Sequence, residues 1–166
     1  MVAPRFDHLV RALSLSGSRR ALLLRLIAAT VGVAPSELGA RDSLVDKYKI
    51  ESLDILDISF RVNKEFGIKL FRGDFFQKAA EALGDIPLIQ DGKLTQAAVD
   101  LLKERLPEAE DNPLLRAGAS RSIVVSLYCV DSWVRQICEL RDANETSGET
   151  FLKDWLAKYK GKMEAA

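Results

Sequence analysis

The sequence predicts an all-α fold, and three observations support that prediction. Apolar residues recur at helical spacing in most segments of the chain. Residues that start or stop helices bracket those segments. The 166 residues are 48% apolar and 29% charged, which is the usual mixture of a folded globular protein. The length suits one domain, or one domain with an appendage.

Glycine and serine residues mark the helix boundaries in the first half of the chain. Residues 19–31 are rich in leucine and alanine and predict a first helix that stops at Gly32. A loop follows over about 39–50. A second helix begins at Ser52 and ends near Gly67, which is a natural C-terminal glycine.

The second half of the chain contains shorter elements. Residues 75–83 predict a short helix stopped at Gly84, and residues 91–93 form a turn. Thr95 caps a helix that runs to Arg105. The remaining elements are a loop at 108–120, a short strand or extended segment at 123–130, a helix capped by Asp131 or Ser132 and running to Leu140, a linker at 144–148, and a last amphipathic helix.

Composition excludes several classes of function. Lys and Arg total 24 and Asp and Glu total 24, so the net charge is zero and the clustered basic excess of a nucleic-acid-binding protein is missing. The single histidine, His8, argues against a Ser-His-Asp or Cys-His site and against a multi-histidine metal centre. The sequence contains no P-loop, dinucleotide-binding loop, HExxH motif or nucleophile elbow, so we expect no enzyme.

Cysteine content and hydropathy indicate a cytoplasmic protein without a membrane span. Cys129 and Cys138 are placed by their spacing on opposite sides of a helix, so we expect two free thiols in a reducing compartment. The most apolar stretch, residues 21–35, is interrupted by Arg25 and is too short to cross a bilayer.

The helix that begins at Ser52 has two apolar faces. Its core face carries Ile55, Ile58, Ser59, Val62 and Phe66. Its second face carries Leu53, Leu56 and Phe60, with Asp54 and Asp57 at its border. That second face is either covered by other parts of the chain or is a docking surface for another protein.

Ser52 has two interpretations. It is either an ordinary helix N-cap, whose hydroxyl accepts from a first-turn N–H, or a functional residue. The surrounding order of elements favours the second, because an apolar helix and a long loop precede Ser52 and a helix with two apolar faces follows it.

This arrangement resembles the acyl carrier protein family, in which an Asp-Ser-Leu motif opens the second helix after a long loop. The motif stands here as Glu51-Ser52-Leu53-Asp54. Similar apolar anchors precede it at Leu38, 43–45 and Ile50, and residues 64–68 resemble the end of the family's second helix. Residues 128–137 resemble the family's closing helix.

The resemblance implies a four-helix bundle that holds acyl intermediates as thioesters on a 4′-phosphopantetheine arm. A phosphopantetheinyl transferase would attach that arm to the Ser52 hydroxyl, with Glu51, Leu53 and Asp54 around it. The implied pathways are fatty-acid, lipid or polyketide biosynthesis. Acyl-transferring and ketosynthase-type enzymes would be the partners of a monomeric carrier, and they would dock on Leu53, Asp54, Leu56, Asp57 and Phe60. The alternative is a helical interaction module that has this fold but no prosthetic group.

The chain departs from the family in three respects. Glu51 replaces the usual aspartate, the chain is neutral where the family is acidic, and it is about twice as long as one carrier domain. We expect an N-terminal arm at 1–18, a carrier-like domain at 19–142 with an insertion at about 71–127, and a C-terminal tail helix within 143–166. If residues 95–106 were the closing helix instead, 107–166 would be an appendage.

Overall fold

The computed structural model describes residues 17–166, and the regular secondary structure of this part of the chain is helical except for one small hairpin, which confirms the all-α prediction. The α-helices are α1 (Gly17–Val31), α2 (Leu44–Tyr48), α3 (Ser52–Phe66), α4 (Phe75–Leu83), α5 (Gln96–Arg105), α6 (Val124–Leu127), α7 (Val130–Asp142) and α8 (Gly148–Glu164). Short 3-10 helices lie at Pro35–Glu37, Pro107–Ala109 and Arg121–Ile123. The antiparallel hairpin pairs β1 (Ile89–Gln90) with β2 (Lys93–Leu94). Of the expected arm at 1–18, residues 1–16 lie outside the described residues and the last two begin α1.

Helix ends follow the predicted signals where a capping residue sets them. The Thr95 hydroxyl accepts from the N–H of Ala98 at 3.2 Å and starts α5. Gly67 adopts a left-handed conformation with φ 67° and ends α3, a geometry that a residue with a Cβ adopts only with strain.

Two segments that the sequence predicts as non-helical contain helices. The loop at 39–50 includes α2, which begins where the N–H of Asp46 donates to Ser43 Oγ at 3.3 Å and which buries Leu44. The segment at 123–130 is not a strand, because α6 occupies its first half. Its β-branched residues prefer a sheet, but the described residues offer only two-residue strands as neighbours.

The start of α7 also differs from the prediction. The N-cap is Cys129, not Asp131 or Ser132. Ser132 lies in the first turn, where its Oγ accepts from the N–H of Cys129 at 2.8 Å, so the helix begins two or three residues earlier than predicted. Asp131 forms an ion pair with Arg20 at 3.2 Å.

Two hydrophobic cores lie within the described residues. The first core joins α1, α2, α3 and α7, and its buried side chains include Ile27, Leu44, Ile58, Val62, Val130 and Ile137. The second core joins α4, the hairpin and α5 with α8, and its buried side chains include Ala79, Leu94, Leu101, Leu102, Leu106 and Leu156. Segment 71–127 therefore forms the second core together with the C-terminal helix, while α7 belongs to the first core.

A network of four charged side chains connects the two cores. Arg135 on α7 pairs with Glu108, donates to Glu139 Oε1 at 2.6 Å, and donates to the backbone oxygen of Arg105 at 2.9 Å. Arg105 donates to the other oxygen of Glu139 at 2.9 Å. Burial by itself lowers the pKa of Arg135, but the hydrogen bonds to both glutamates outweigh that effect and raise it, so the guanidinium stays charged.

Two kinds of feature do not occur within residues 17–166. None of the helices there has both the length and the apolar character needed to cross a membrane. No group of three or more His, Cys, Asp or Glu side chains in this part of the chain is arranged to hold a metal ion.

Candidate functional site

Ser52 is the first residue of α3, and its hydroxyl does not cap the helix. The residue before the helix is Glu51, whose backbone is extended at φ −110° and ψ 176°. The Asp54 carboxylate accepts from the N–H of Glu51 at 2.8 Å and closes the first turn. The N-cap interpretation of Ser52 is therefore wrong, because Glu51 occupies the N-cap position and Ser52 is already the first residue of the helix. The side chain of Ser52 is exposed, and its hydroxyl takes part in none of the described hydrogen bonds.

The surroundings of Ser52 fit a phosphate ester at this hydroxyl. The first N–H groups of an α-helix have no partner within the helix, and the helix dipole places partial positive charge there. None of the described hydrogen bonds uses the N–H of Ser52 or Leu53. Two amide donors therefore remain beside an exposed hydroxyl, which is the arrangement that favours a phosphate at a helix N-terminus.

The loop before Ser52 is held by one carboxylate. Asp42 accepts from the N–H of Gly39 at 2.7 Å, from Lys47 Nζ at 2.7 Å and from the Tyr48 hydroxyl at 2.8 Å. The hydrogen bonds from Lys47 and Tyr48 lower the pKa of Asp42. This cluster fixes α2 against the loop and so fixes the path by which the chain reaches Ser52.

The two apolar faces of α3 lie in different environments. Ile58, Ser59 and Val62 are buried, as predicted for the core face. Leu53, Leu56 and Phe60 are exposed by 75%, 44% and 67%. No described residue covers this second face, so the interpretation that other parts of the chain bury it does not hold for residues 17–166.

The acidic border of the second face is partly neutralised within the chain. Asp57 Oδ2 accepts from Arg61 Nε at 3.0 Å, one helical turn further on, and from the Thr30 hydroxyl at 3.4 Å. Asp54 is engaged by the helix cap described above. The site residues predicted on α3 are thus brought together on one surface, but their two aspartates already have partners.

A cavity of about 650 Å³ adjoins Ser52. Three parts of the structure form its wall: helices of the first core, segment 71–127, and α8. Its lining includes Leu44, Ser52, Leu53, Ile55, Leu56, Phe71, Arg105, Tyr128, Trp133, Gln136, Leu140, Phe151 and Leu152. The sequence predicts Ser52, Leu53 and Leu56 as site residues but not the lining residues that follow Leu56.

One of the missed residues left a signal in the sequence. Ala98, Leu101, Leu102 and Arg105 recur at the spacing of one helix face, so Arg105 lies on the buried stripe of α5. An arginine on such a stripe is unusual, because buried charges need a partner. Phe151 and Gln136 left no comparable signal, since their contact with the cavity depends on long-range packing.

Comparison with known families identifies part of the chain. Residues 21–80 match the family model for the phosphopantetheine attachment site, a segment that includes most of α1, all of α2 and α3, and most of α4. No curated protein and no solved structure matches the chain significantly. Domains of this family work with a phosphopantetheinyl transferase and acyl-handling enzymes and are generally not enzymes themselves. Residues 21–80 are therefore similar to the phosphopantetheine-attachment domain of carrier proteins, the domain to which 4′-phosphopantetheine is covalently joined.

Proposed function

We propose that this protein is an acyl carrier whose prosthetic group is attached at Ser52. The observation that carries the proposal is the position of Ser52 within the matched segment: it is an exposed serine at the first residue of a helix, with two amide donors beside it and a cavity next to it. When bound, the terminal thiol of 4′-phosphopantetheine carries acyl groups as thioesters.

The residues around Ser52 have distinct proposed roles. The amide groups of Ser52 and Leu53 orient the phosphate, and the exposed Leu53 side chain packs along the arm. Asp54 holds the first turn of α3 through the N–H of Glu51. Glu51 is one methylene longer than the family's aspartate, so the transferase that loads this chain accommodates a longer side chain before the serine.

We further propose the context in which the carrier works. The domain spans 19–142 with an insertion at 71–127, and the tail helix within 143–166 packs on that insertion. The carrier is monomeric and serves fatty-acid, lipid or polyketide synthesis with acyl-transferring and ketosynthase-type partners. A cytoplasmic location fits its two free thiols, Cys129 and Cys138.

Loading of the protein by a broad-specificity phosphopantetheinyl transferase tests the attachment site. The protein is incubated with coenzyme A and the enzyme and then weighed intact by mass spectrometry. We expect the wild type and Ser36→Ala to gain one phosphopantetheine and Ser52→Ala to gain none. Ser36 is the matched control, because it is another exposed serine within the matched segment. Loading of Ser52→Ala to the wild-type extent would refute the proposal, and so would no loading of the wild type.

The docking surface has a separate test on α3. Phe60→Ala removes a side chain that is 67% exposed and has no role in the first core, and we expect it to slow loading by about tenfold, as loss of an apolar anchor does at an interface. Asp57→Asn changes a carboxylate that Arg61 already binds, so we expect less than about a twofold effect. The measurement is the initial rate of loading at fixed transferase concentration. A larger effect of Asp57→Asn than of Phe60→Ala would show that charge, not apolar contact, directs docking.

A further inference from the structure

The cavity beside Ser52 has the size and wall of a ligand site. Its volume of about 650 Å³ lies within the range of about 300–1,000 Å³ that is typical of small-molecule pockets. Most of its lining is aliphatic or aromatic. The wall is closed by residues that lie far from the matched segment, namely Arg105 on α5, Tyr128 after α6, and Phe151 on α8.

The position of Ser52 determines what reaches this cavity first. A group tethered to a residue on the cavity wall is present there at a high effective concentration. Ser52 and Leu53 are both lining residues. An acyl chain carried on Ser52 is therefore the ligand best placed to enter, and this step rests on the proposed function.

Polar groups in the lining restrict the chemistry of that acyl chain. Arg105 is only 8% exposed, and the single acceptor found for its guanidinium among the described side chains is Glu139, which binds Nη1. A guanidinium has five N–H donors, and the described side chains accept from only one nitrogen of Arg105, which lines the cavity. The rings of Phe151 and Trp155 lie 5.7 and 5.4 Å from its central carbon and hold it in place.

Two further donors line the same cavity. The Tyr128 hydroxyl and the Gln136 amide take part in none of the described hydrogen bonds. Burial raises the pKa of Tyr128, so its hydroxyl remains protonated and able to donate. A plain hydrocarbon chain would separate these groups from water without giving them an acceptor, which is unfavourable.

We propose that this cavity binds an acyl chain bearing an oxygen acceptor beyond its thioester, such as a carboxylate or a hydroxyl, and that Arg105 recognises that oxygen. Segment 71–127 and α8 thereby select the cargo in addition to enclosing it. Tyr128 is the second donor of this site. Saturated unsubstituted chains enter less readily, because they leave both donors unpaired.

The test loads the full-length protein with acyl chains of equal length that differ in one substituent. The transferase is supplied with the coenzyme A thioesters of decanoic acid, of the same chain ending in a second carboxylate, and of a hydroxylated decanoic acid. Intact mass confirms each load. The readouts are the rate at which hydroxylamine cleaves the thioester and the thermal midpoint of each loaded form.

In the wild type we expect at least one oxygenated chain to be cleaved about tenfold more slowly than the decanoyl chain, as a hydrogen bond to a charged donor implies. We expect Arg105→Gln to remove that difference and Tyr128→Phe to reduce it, so that the cleavage rates of the oxygenated and decanoyl chains approach one another. Tyr128→Phe keeps the ring, so it reports on recognition even if Arg105→Gln folds poorly. Loaded protein whose three chains are cleaved at one rate would overturn this proposal alone, whereas a failure to load Ser52 would overturn the proposed function and this proposal together.

Discussion

At the residue scale, the approach to Ser52 depends on the carboxylate of Asp42. That side chain accepts three hydrogen bonds, one of them from a backbone N–H and one from an ammonium group. Hydrogen bonds that involve a charged group contribute more than neutral ones, because the partner atoms carry larger charges. Ser52 itself has the opposite character, since its hydroxyl is bound by none of the described groups. A fixed loop therefore leads to an exposed hydroxyl that has no partner among the described groups.

Asp42→Asn is expected to lower the free energy of unfolding by about 1–3 kcal/mol at pH 7, because it weakens the hydrogen bonds from Lys47 and Tyr48. The pKa of Asp42 is lower in the folded protein than the value of about 3.9 in an unfolded chain. Its stabilising effect is thus fully present above that value and is lost as the pH falls through the folded pKa. Urea denaturation from pH 7 to pH 3 should show wild type and variant converging at low pH.

The control for this prediction is Asp154→Asn, an exposed position on α8 with no ion pair among the described residues. We expect it to change stability by less than about 0.5 kcal/mol at every pH. A constant difference between Asp42→Asn and the wild type down to pH 3 would contradict the assignment of the stabilising charge to Asp42.

At the element scale, the sequence predicts a helix where local signals and tertiary packing agree. Thr95, Gly67 and Gly84 mark real boundaries, because capping is a short-range interaction between a side chain or turn and the nearest backbone groups. The sequence does not predict the short helices α2 and α6, because these helices depend on tertiary packing and not on local signals. A helix of four or five residues is not stable by itself, so its formation depends on burial of a residue such as Leu44 against distant parts of the chain.

A close backbone contact sets the position of the first residue of α8. The N–H of Gly148 donates to the carbonyl oxygen of Lys69 at 2.7 Å. The N–H of Lys69 in turn donates to the carbonyl oxygen of Thr146 at 2.8 Å. A Cβ at Gly148 would lie 2.9 Å from the Lys69 oxygen and closer still to the backbone nitrogen of Phe71. These are backbone atoms, which cannot rotate away.

Gly148→Ala is therefore expected to reduce the free energy of unfolding by about 1–3 kcal/mol, the usual effect of overpacking. Gly161→Ala is the matched control on the same helix, because a Cβ there meets nothing within 4 Å. We expect it to raise stability by about 0.5–1 kcal/mol through the higher helix propensity of alanine. Thermal and urea unfolding of both variants measure the difference. Equal stability of the two variants would contradict the close contact at Gly148.

At the scale of the whole molecule, the site is composite and the sequence predicts only its local half. Ser52, Leu53 and Leu56 were predicted because a motif and a helical wheel are local patterns. The sequence does not predict the far wall of the cavity. That wall includes Arg105 and Phe151, which lie more than 50 residues from Ser52 along the chain and reach the cavity through long-range packing. The acidic border of the exposed face, in contrast, is partly neutralised locally, because Arg61 pairs with Asp57 one helical turn away.

The coupling between the two cores depends on Arg135. Its side chain is 24% exposed, and Glu108, which it binds, is 8% exposed. Removing the arginine would leave Glu108 without its side-chain partner, whereas Glu139 would keep Arg105, and an unpaired buried charge is strongly destabilising. The wall of the cavity that α5 supplies would then lose its attachment to α7.

Arg135→Met is expected to lower the free energy of unfolding by about 3 kcal/mol and to separate the unfolding of the two cores. The two tryptophans report on them independently, because Trp133 packs on the first core and Trp155 on the second. Each tryptophan is followed alone, Trp133 in a Trp155→Phe background and Trp155 in a Trp133→Phe background. We expect the two signals to give the same urea midpoint in the otherwise unaltered protein and different midpoints once Arg135→Met is added.

Arg141→Met is the control, since Arg141 contacts only its neighbour Asp142, at 3.8 Å, among the described acids. Midpoints that stay coincident in Arg135→Met would show that apolar contacts, and not this charge network, join the two cores.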